Sequence, residues 1–140
     1  MFTERERKTL TLILQTHSQT HTLGEMFDFQ KLEVYKKAKL FNKKINDLLK
    51  LSLFDRTTND QLRRASFSIM LNIAEGSSRF SNRDRKNFIV ISRGSAFECA
   101  AILDYLVDNK EIERDMYLEL YELLEEISKM LYSLINRLAK

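Results

Sequence analysis

Residues 61–79, Gln-Leu-Arg-Arg-Ala-Ser-Phe-Ser-Ile-Met-Leu-Asn-Ile-Ala-Glu-Gly-Ser-Ser-Arg, constrain this chain more than any other stretch. At helical spacing, Leu62, Ala65, Ile69, Ile73 and Gly76 form one stripe, while Phe67, Met70, Leu71 and Ala74 occupy other faces. A helix apolar along one stripe can bury it within a single molecule; one apolar around most of its girth needs further partners. The pattern predicts a helical domain that associates with copies of itself. Arg63, Arg64, Asn72 and Glu75 lie among the apolar positions, and buried charges must be paired and hydrogen-bonded. Together with Glu98 they are expected to form a structural polar network, Arg63 or Arg64 meeting Glu75 or Glu98 across helices or subunits.

The rest of the chain favours long helices. It contains no proline and only three glycines, which excludes collagen-like and turn-rich β architectures. Residues 1–25 read as a separate extension. An amphipathic helix is expected over 1–15, followed by a polar, non-periodic segment that predicts flexibility. Residues 26–140 read as one four-helix domain. The first helix is expected over 29–51, with Leu32, Tyr35, Ala38, Phe41, Ile45, Leu48 and Leu49 inward. Residues 55–59 read as a polar connection, with Thr58 and Gln61 as a capping box for the second helix.

Ser81 and Asp84 mark the next start, and the third helix is expected over 82–107. Phe88, Ile91, Ser95, Ile102, Tyr105 and Leu106 are its expected inward residues, and Gly94-Ser95-Ala96 its point of close approach. The fourth is expected over 113–138, along Met116, Leu120, Leu123, Leu124, Ile127, Leu131, Leu134, Ile135 and Leu138. Long helices with short connections imply antiparallel neighbours, hence an all-α, up-down-up-down four-helix bundle.

The net charge of +3 hides a strong asymmetry. Residues 30–93 hold fifteen Lys and Arg against six acids, a balance of +9; residues 94–126 hold two against ten, a balance of −8. Such asymmetry marks either a nucleic-acid footprint or basic helices pairing with acidic ones. The basic cluster Arg79, Arg83, Arg85, Lys86 and Arg93 straddles the turn between the second and third helices. Only Phe80 and Phe88 lie near it as aromatic platforms, and Phe88 reads as inward, so non-specific phosphate contact is the expected mode. With Lys36, Lys43 and Lys44 of the first helix, Arg79, Arg83, Arg85 and Lys86 are the expected nucleic-acid-binding residues.

No catalytic constellation is visible, so no enzymatic activity is expected. His17 and His21 lie four apart, but without the His-Glu-x-x-His pattern or a neighbouring carboxylate they do not make a metal site. No metal or cofactor is expected. Cys99, among Ala96, Ala100 and Ala101, reads as a core residue, since no histidine in the bundle could activate it. A lone cysteine, no secretory signal and no membrane-length apolar run make a reducing cytoplasm the expected setting.

The order of features in the second and third helices resembles a known family. It is carried by Gln61-Leu62-Arg63-Arg64-Ala65, Ser68-Ile69, Asn72-Ile73-Ala74-Glu75-Gly76, Arg79, Asn87-Phe88-Ile89 and Arg93-Gly94-Ser95-Ala96-Phe97-Glu98. The Phe-Asp-Phe-Gln-Lys-Leu-Glu-Val-Tyr opening of the first helix adds to it. These resemble the bacterial four-helix-bundle proteins encoded in intervening sequences of 23S ribosomal RNA genes, over about residues 27–139.

The resemblance implies a homopentamer, five bundles forming a barrel around a central channel. It also implies a relation to the accessory variability determinant proteins of diversity-generating retroelements. Those pentamers bind RNA or DNA and a reverse transcriptase through a basic outer surface. A scaffold that engages a protein partner without nucleic acid is the competing expectation. Met70 stands where the family usually has proline, which removes the reason for a kink there.

Overall fold

The computed structural model describes residues 1, 3–9 and 28–140. Residues 4–9 are helical; the remainder of the helix expected over 1–15, and His17 and His21, fall largely or wholly outside the described residues. A short 3-10 turn, Asp28–Lys31, leads into four long helices: α1 (Glu33–Leu51), α2 (Arg56–Ser77), α3 (Asn82–Asp108) and α4 (Arg114–Leu138). No strand occurs among the described residues.

Side-chain pairs give the register. Lys37 meets Glu126 and Lys44 meets Glu119, so seven residues forward on α1 is seven back on α4. The Ser92 hydroxyl donates to the Ile69 carbonyl at 2.7 Å, and the Ser95 and Ser68 hydroxyls lie 2.8 Å apart, which sets α2 against α3 antiparallel. Ser66 donates to the Asn42 side-chain carbonyl at 2.9 Å, joining α2 to α1. Phe41, Ile45, Leu62, Ile69, Ile73, Leu103, Leu106, Leu120, Ile127 and Leu131 fill the core, contributed by all four helices.

Several boundaries and faces differ from the expectations above. The first helix opens as the 3-10 turn and becomes α-helical only at Glu33, and Val34 joins its buried stripe. The capping box at Thr58 and Gln61 is replaced by Asp55, whose carboxylate accepts from the Thr58 backbone N–H at 2.8 Å and its hydroxyl at 3.0 Å. Helix therefore begins at Arg56, and residues 56–59 are helical rather than a connection. Ser81 does cap α3, accepting from the Asp84 N–H at 3.1 Å.

On α3 the buried face is Ile89, Ser92, Ser95, Ala96, Cys99, Leu103 and Leu106. Ile91 and Tyr105, expected inside, are 51% and 59% exposed. Small side chains let α3 lie close to α2, so burial goes to them while larger apolar residues remain outside. Met116 is likewise exposed at the start of α4.

The close approach expected around Gly94 involves Ser95 and Ala96, which are buried; a side chain at Gly94 itself would meet nothing within 4 Å. Gly76 is the tight glycine. A Cβ there would lie 3.2 Å from the Arg85 carbonyl oxygen and 3.2 Å from the Phe88 Cβ, so α2 continues past it against the first turn of α3.

Candidate nucleic-acid interface

Chain reversal sorts the charges along the bundle axis. The half containing the α2–α3 turn is built from residues 28–40, 70–93 and 127–140, with twelve Lys and Arg against four Asp and Glu. The half containing the α1–α2 and α3–α4 connections, residues 44–65 and 98–123, has seven against eleven. One end is basic and the other acidic. The N-termini of α1 and α3 lie at the basic end together with the C-termini of α2 and α4, so helix dipoles largely cancel there and the side chains set its charge.

The expected binding residues divide into two groups. Four are engaged within the protomer. Lys44 pairs with Glu119 at 2.6 Å across to α4, and Lys36 with Glu33 at 3.3 Å. Arg79 pairs with Glu75 at 2.5 Å and its guanidinium lies 4.5 Å from the Phe88 ring centroid. Arg85 donates from Nε to the Arg79 carbonyl at 2.7 Å and from Nη1 to Asn82 at 3.5 Å, clamping the α2–α3 turn.

The other three, Lys43, Arg83 and Lys86, make no side-chain hydrogen bond or ion pair with a described residue. Lys43 and Arg83 are exposed and Lys86 half-buried. Lys39 and Lys50, which the sequence reading left out, also stand exposed on α1. Their signal was available: with Lys36 and Lys43 they fall on the side of α1 opposite its buried stripe.

The expected polar network forms with different members. Within the protomer Arg63 donates to Asn59 at 3.4 Å and Glu75 takes Arg79, so neither Arg63 nor Arg64 meets Glu75 or Glu98. Arg63 and Glu75 are twelve residues apart on one helix, about 18 Å at 1.5 Å per residue, beyond the reach of two side chains. Arg64 and Glu98 are exposed.

Asn72 alone of the five belongs to the observed network. Its amide donates to the Ser68 carbonyl and hydroxyl, both at 2.9 Å, and Ser68 meets Ser95, which bonds back to the Ile91 carbonyl at 3.2 Å. Serines replace charges as the polar link between α2 and α3. They need no desolvated ion, and each hydroxyl finds a carbonyl or hydroxyl one turn away.

Cys99 is fully buried, and burial, reinforced by the neighbouring Glu98 carboxylate, pushes its thiol far above the ordinary value. It packs and does not react at neutral pH. No group of His, Cys, Asp and Glu among the described residues could hold a metal ion. No described helix is long and apolar enough to cross a membrane.

Large apolar side chains remain outside the core. Phe67 and Leu71 on α2 are each 47% exposed, and Ile91 and Tyr105 on α3 are exposed as well; Tyr105 lies beside Thr57, Thr58 and Gln61, near the start of α2.

Comparison with known proteins places this geometry. Residues 30–133 match the family model described as 23S rRNA-intervening sequence protein. A crystal structure of a protein of unknown function from the S23 ribosomal protein family of Bacteroides thetaiotaomicron is similar, with a TM-score of 0.70 and 28% identity. The match covers 73% of this chain and 97% of that one. No curated protein matches significantly.

Proposed function

The chain belongs to the 23S rRNA-intervening sequence protein family, and we propose that it is a non-enzymatic, self-associating bundle that grips nucleic-acid backbone through its basic end. The observation that carries this reading is the concentration of cations in one half of the bundle, where Arg83 and Lys86 make no ion pair with a described residue; Lys43, near mid-helix on α1, makes none either. Unpaired cations on a solvent face release condensed counterions when they meet phosphates, which supplies sequence-independent affinity.

Self-association supplies the rest. Phe67 and Leu71 on α2 and Ile91 and Tyr105 on α3 are large apolar side chains left exposed, which copies of the chain would cover. A homopentamer, which the family resemblance implies, repeats each modest phosphate site five times and converts weak contacts into avidity. A nucleoprotein such as a reverse transcriptase bound to its template fits the same surface. No cofactor or metal enters this reading.

One observation favours a second reading, a scaffold that binds a protein partner and no nucleic acid. Lys36, Lys44, Arg79 and Arg85 are already occupied inside the protomer. A mobility shift with ribosomal RNA and single-stranded DNA separates the two. The nucleic-acid reading expects a shift at low salt that disappears on reversing Arg83 and Lys86 to Glu; a shift indifferent to that reversal, or none, contradicts it.

A further inference from the structure

A second cluster lies between α3 and α4 at mid-bundle, bordering the basic half and away from the turn. The Arg93 guanidinium is 4.7 Å from the Phe97 ring centroid and 5.4 Å from that of Tyr132 on α4. Its Nε is buried with no hydrogen-bond partner, and no described carboxylate pairs with it. Yet Phe97 and Tyr132 are 56% and 55% exposed, an unusual state for two large rings beside an arginine. Immediately next to them a cleft of about 290 Å³ opens between α3 and α4, with Phe97, Tyr121 and Leu124 as its larger apolar walls and Glu125, Ser128 and Lys129 on its polar side.

We infer that this cluster is a stacking site for single-stranded nucleic acid. The exposed faces of Phe97 and Tyr132 take successive bases, the cleft holds one unstacked base, and Arg93 with Lys86 faces the phosphates. The inference rests on the nucleic-acid reading above and adds the strandedness of the ligand. Arginine beside exposed aromatic rings is the combination that sequence-tolerant single-strand binders use, because every base has a π-face and every nucleotide a phosphate.

Charge agrees with this occupant. Lys86 lies two helical turns before Arg93 on α3 and has no partner among the described residues. The one carboxylate in the cleft, Glu125, is paired with Lys129 at 3.5 Å. This exposed pair lessens its repulsion of phosphate and leaves it an acceptor for a base amino group. Paired bases in a duplex present no face to a ring, so the site discriminates by strandedness rather than by sequence.

The test uses the full-length protein and fluorescence anisotropy with labelled oligouridylate, oligothymidylate and the same thymidylate strand in duplex. The wild type is expected to bind single strands more tightly than duplex. Phe97→Ala with Tyr132→Ala should weaken single-strand binding at least about thirtyfold, two stacked bases being lost, and leave duplex binding unchanged. Tyr132→Phe should retain the preference. The chain contains no tryptophan, so Phe97→Trp introduces a sole indole whose emission a stacked base quenches.

Equal loss on single strands and duplex overturns the inference, as does an unchanged single-strand affinity in the double alanine variant. So does a variant whose oligomer falls apart while bound strands leave the indole unquenched, because the rings then face another copy. If Arg83→Glu with Lys86→Glu abolishes binding and the alanine pair does not, the basic-end reading stands and this inference alone fails. If no oligonucleotide binds at any salt concentration, both fall.

Discussion

Asp55 shows how one residue sets a helix start. Its carboxylate, the N-cap of α2, accepts from the Thr58 backbone N–H and hydroxyl, and these bonds hold its pKa below the ordinary aspartate value. Because the folded form prefers the ionised acid, the cap's contribution is complete above the ordinary aspartate pKa. It is lost as pH falls through the lower, folded value. Thermal melts across the acid range should show Asp55→Asn, which keeps an acceptor oxygen, losing less stability than the wild type as Asp55 becomes protonated. Identical acid dependence in the two proteins contradicts this role. The cap escapes the sequence because Asp55-Arg56-Thr57-Thr58 offers three acceptable N-cap residues within one turn. Only the tertiary path of the α1–α2 connection selects between them.

Among the elements, α3 carries the second prediction. Its C-terminus closes with Glu111 N–H bonded to the Leu106 carbonyl at 2.9 Å and Lys110 N–H to Val107 at 3.1 Å. This is a Schellman arrangement, and it places Lys110 at φ 60°, where a side chain is strained. Lys110→Gly should stabilise the protein by about 1 kcal/mol, read from denaturant midpoints; destabilisation would contradict the strain.

The legibility of each helix follows from its pattern. α1 and α4 have one apolar stripe opposite charged residues, so periodicity gave their inner faces almost residue by residue. α3 is apolar on most of its girth, and a 3.6-residue period then has no unique phase. Ile91 and Tyr105 are accordingly expected inside, whereas Ser92, small enough to approach α2, takes the core beside Cys99, which the sequence does assign to it. The candidate site was legible in part. The basic turn is contiguous in sequence, but the pairing of Lys44 with Glu119, and the arrival of Lys129 and Arg137 in the same half of the bundle, depend on chain reversal.

For the whole molecule, the proposed function assigns two surfaces. In it, copies meet through the exposed apolar side chains of α2 and α3, and the basic end stays open to ligand. Light scattering should report about five times the 16.6 kDa of one chain. Leu71→Glu with Ile91→Glu should return the mass to that of a single folded protomer, because both side chains lie outside its core. A wild type that remains a single chain when concentrated contradicts the assembly.

The most direct test of the combined account is the slope of log affinity against log salt for a single-stranded oligonucleotide. Of the expected binding residues, the three with no ion pair among the described residues, Lys43, Arg83 and Lys86, contribute about −2 to the slope of one copy, at roughly 0.7 per neutralised phosphate, and Arg93 adds to it. A ring of copies predicts a steeper line, which flattens when Arg83 and Lys86 are reversed to Glu. A salt-independent affinity, or a steep slope untouched by that reversal, would contradict it.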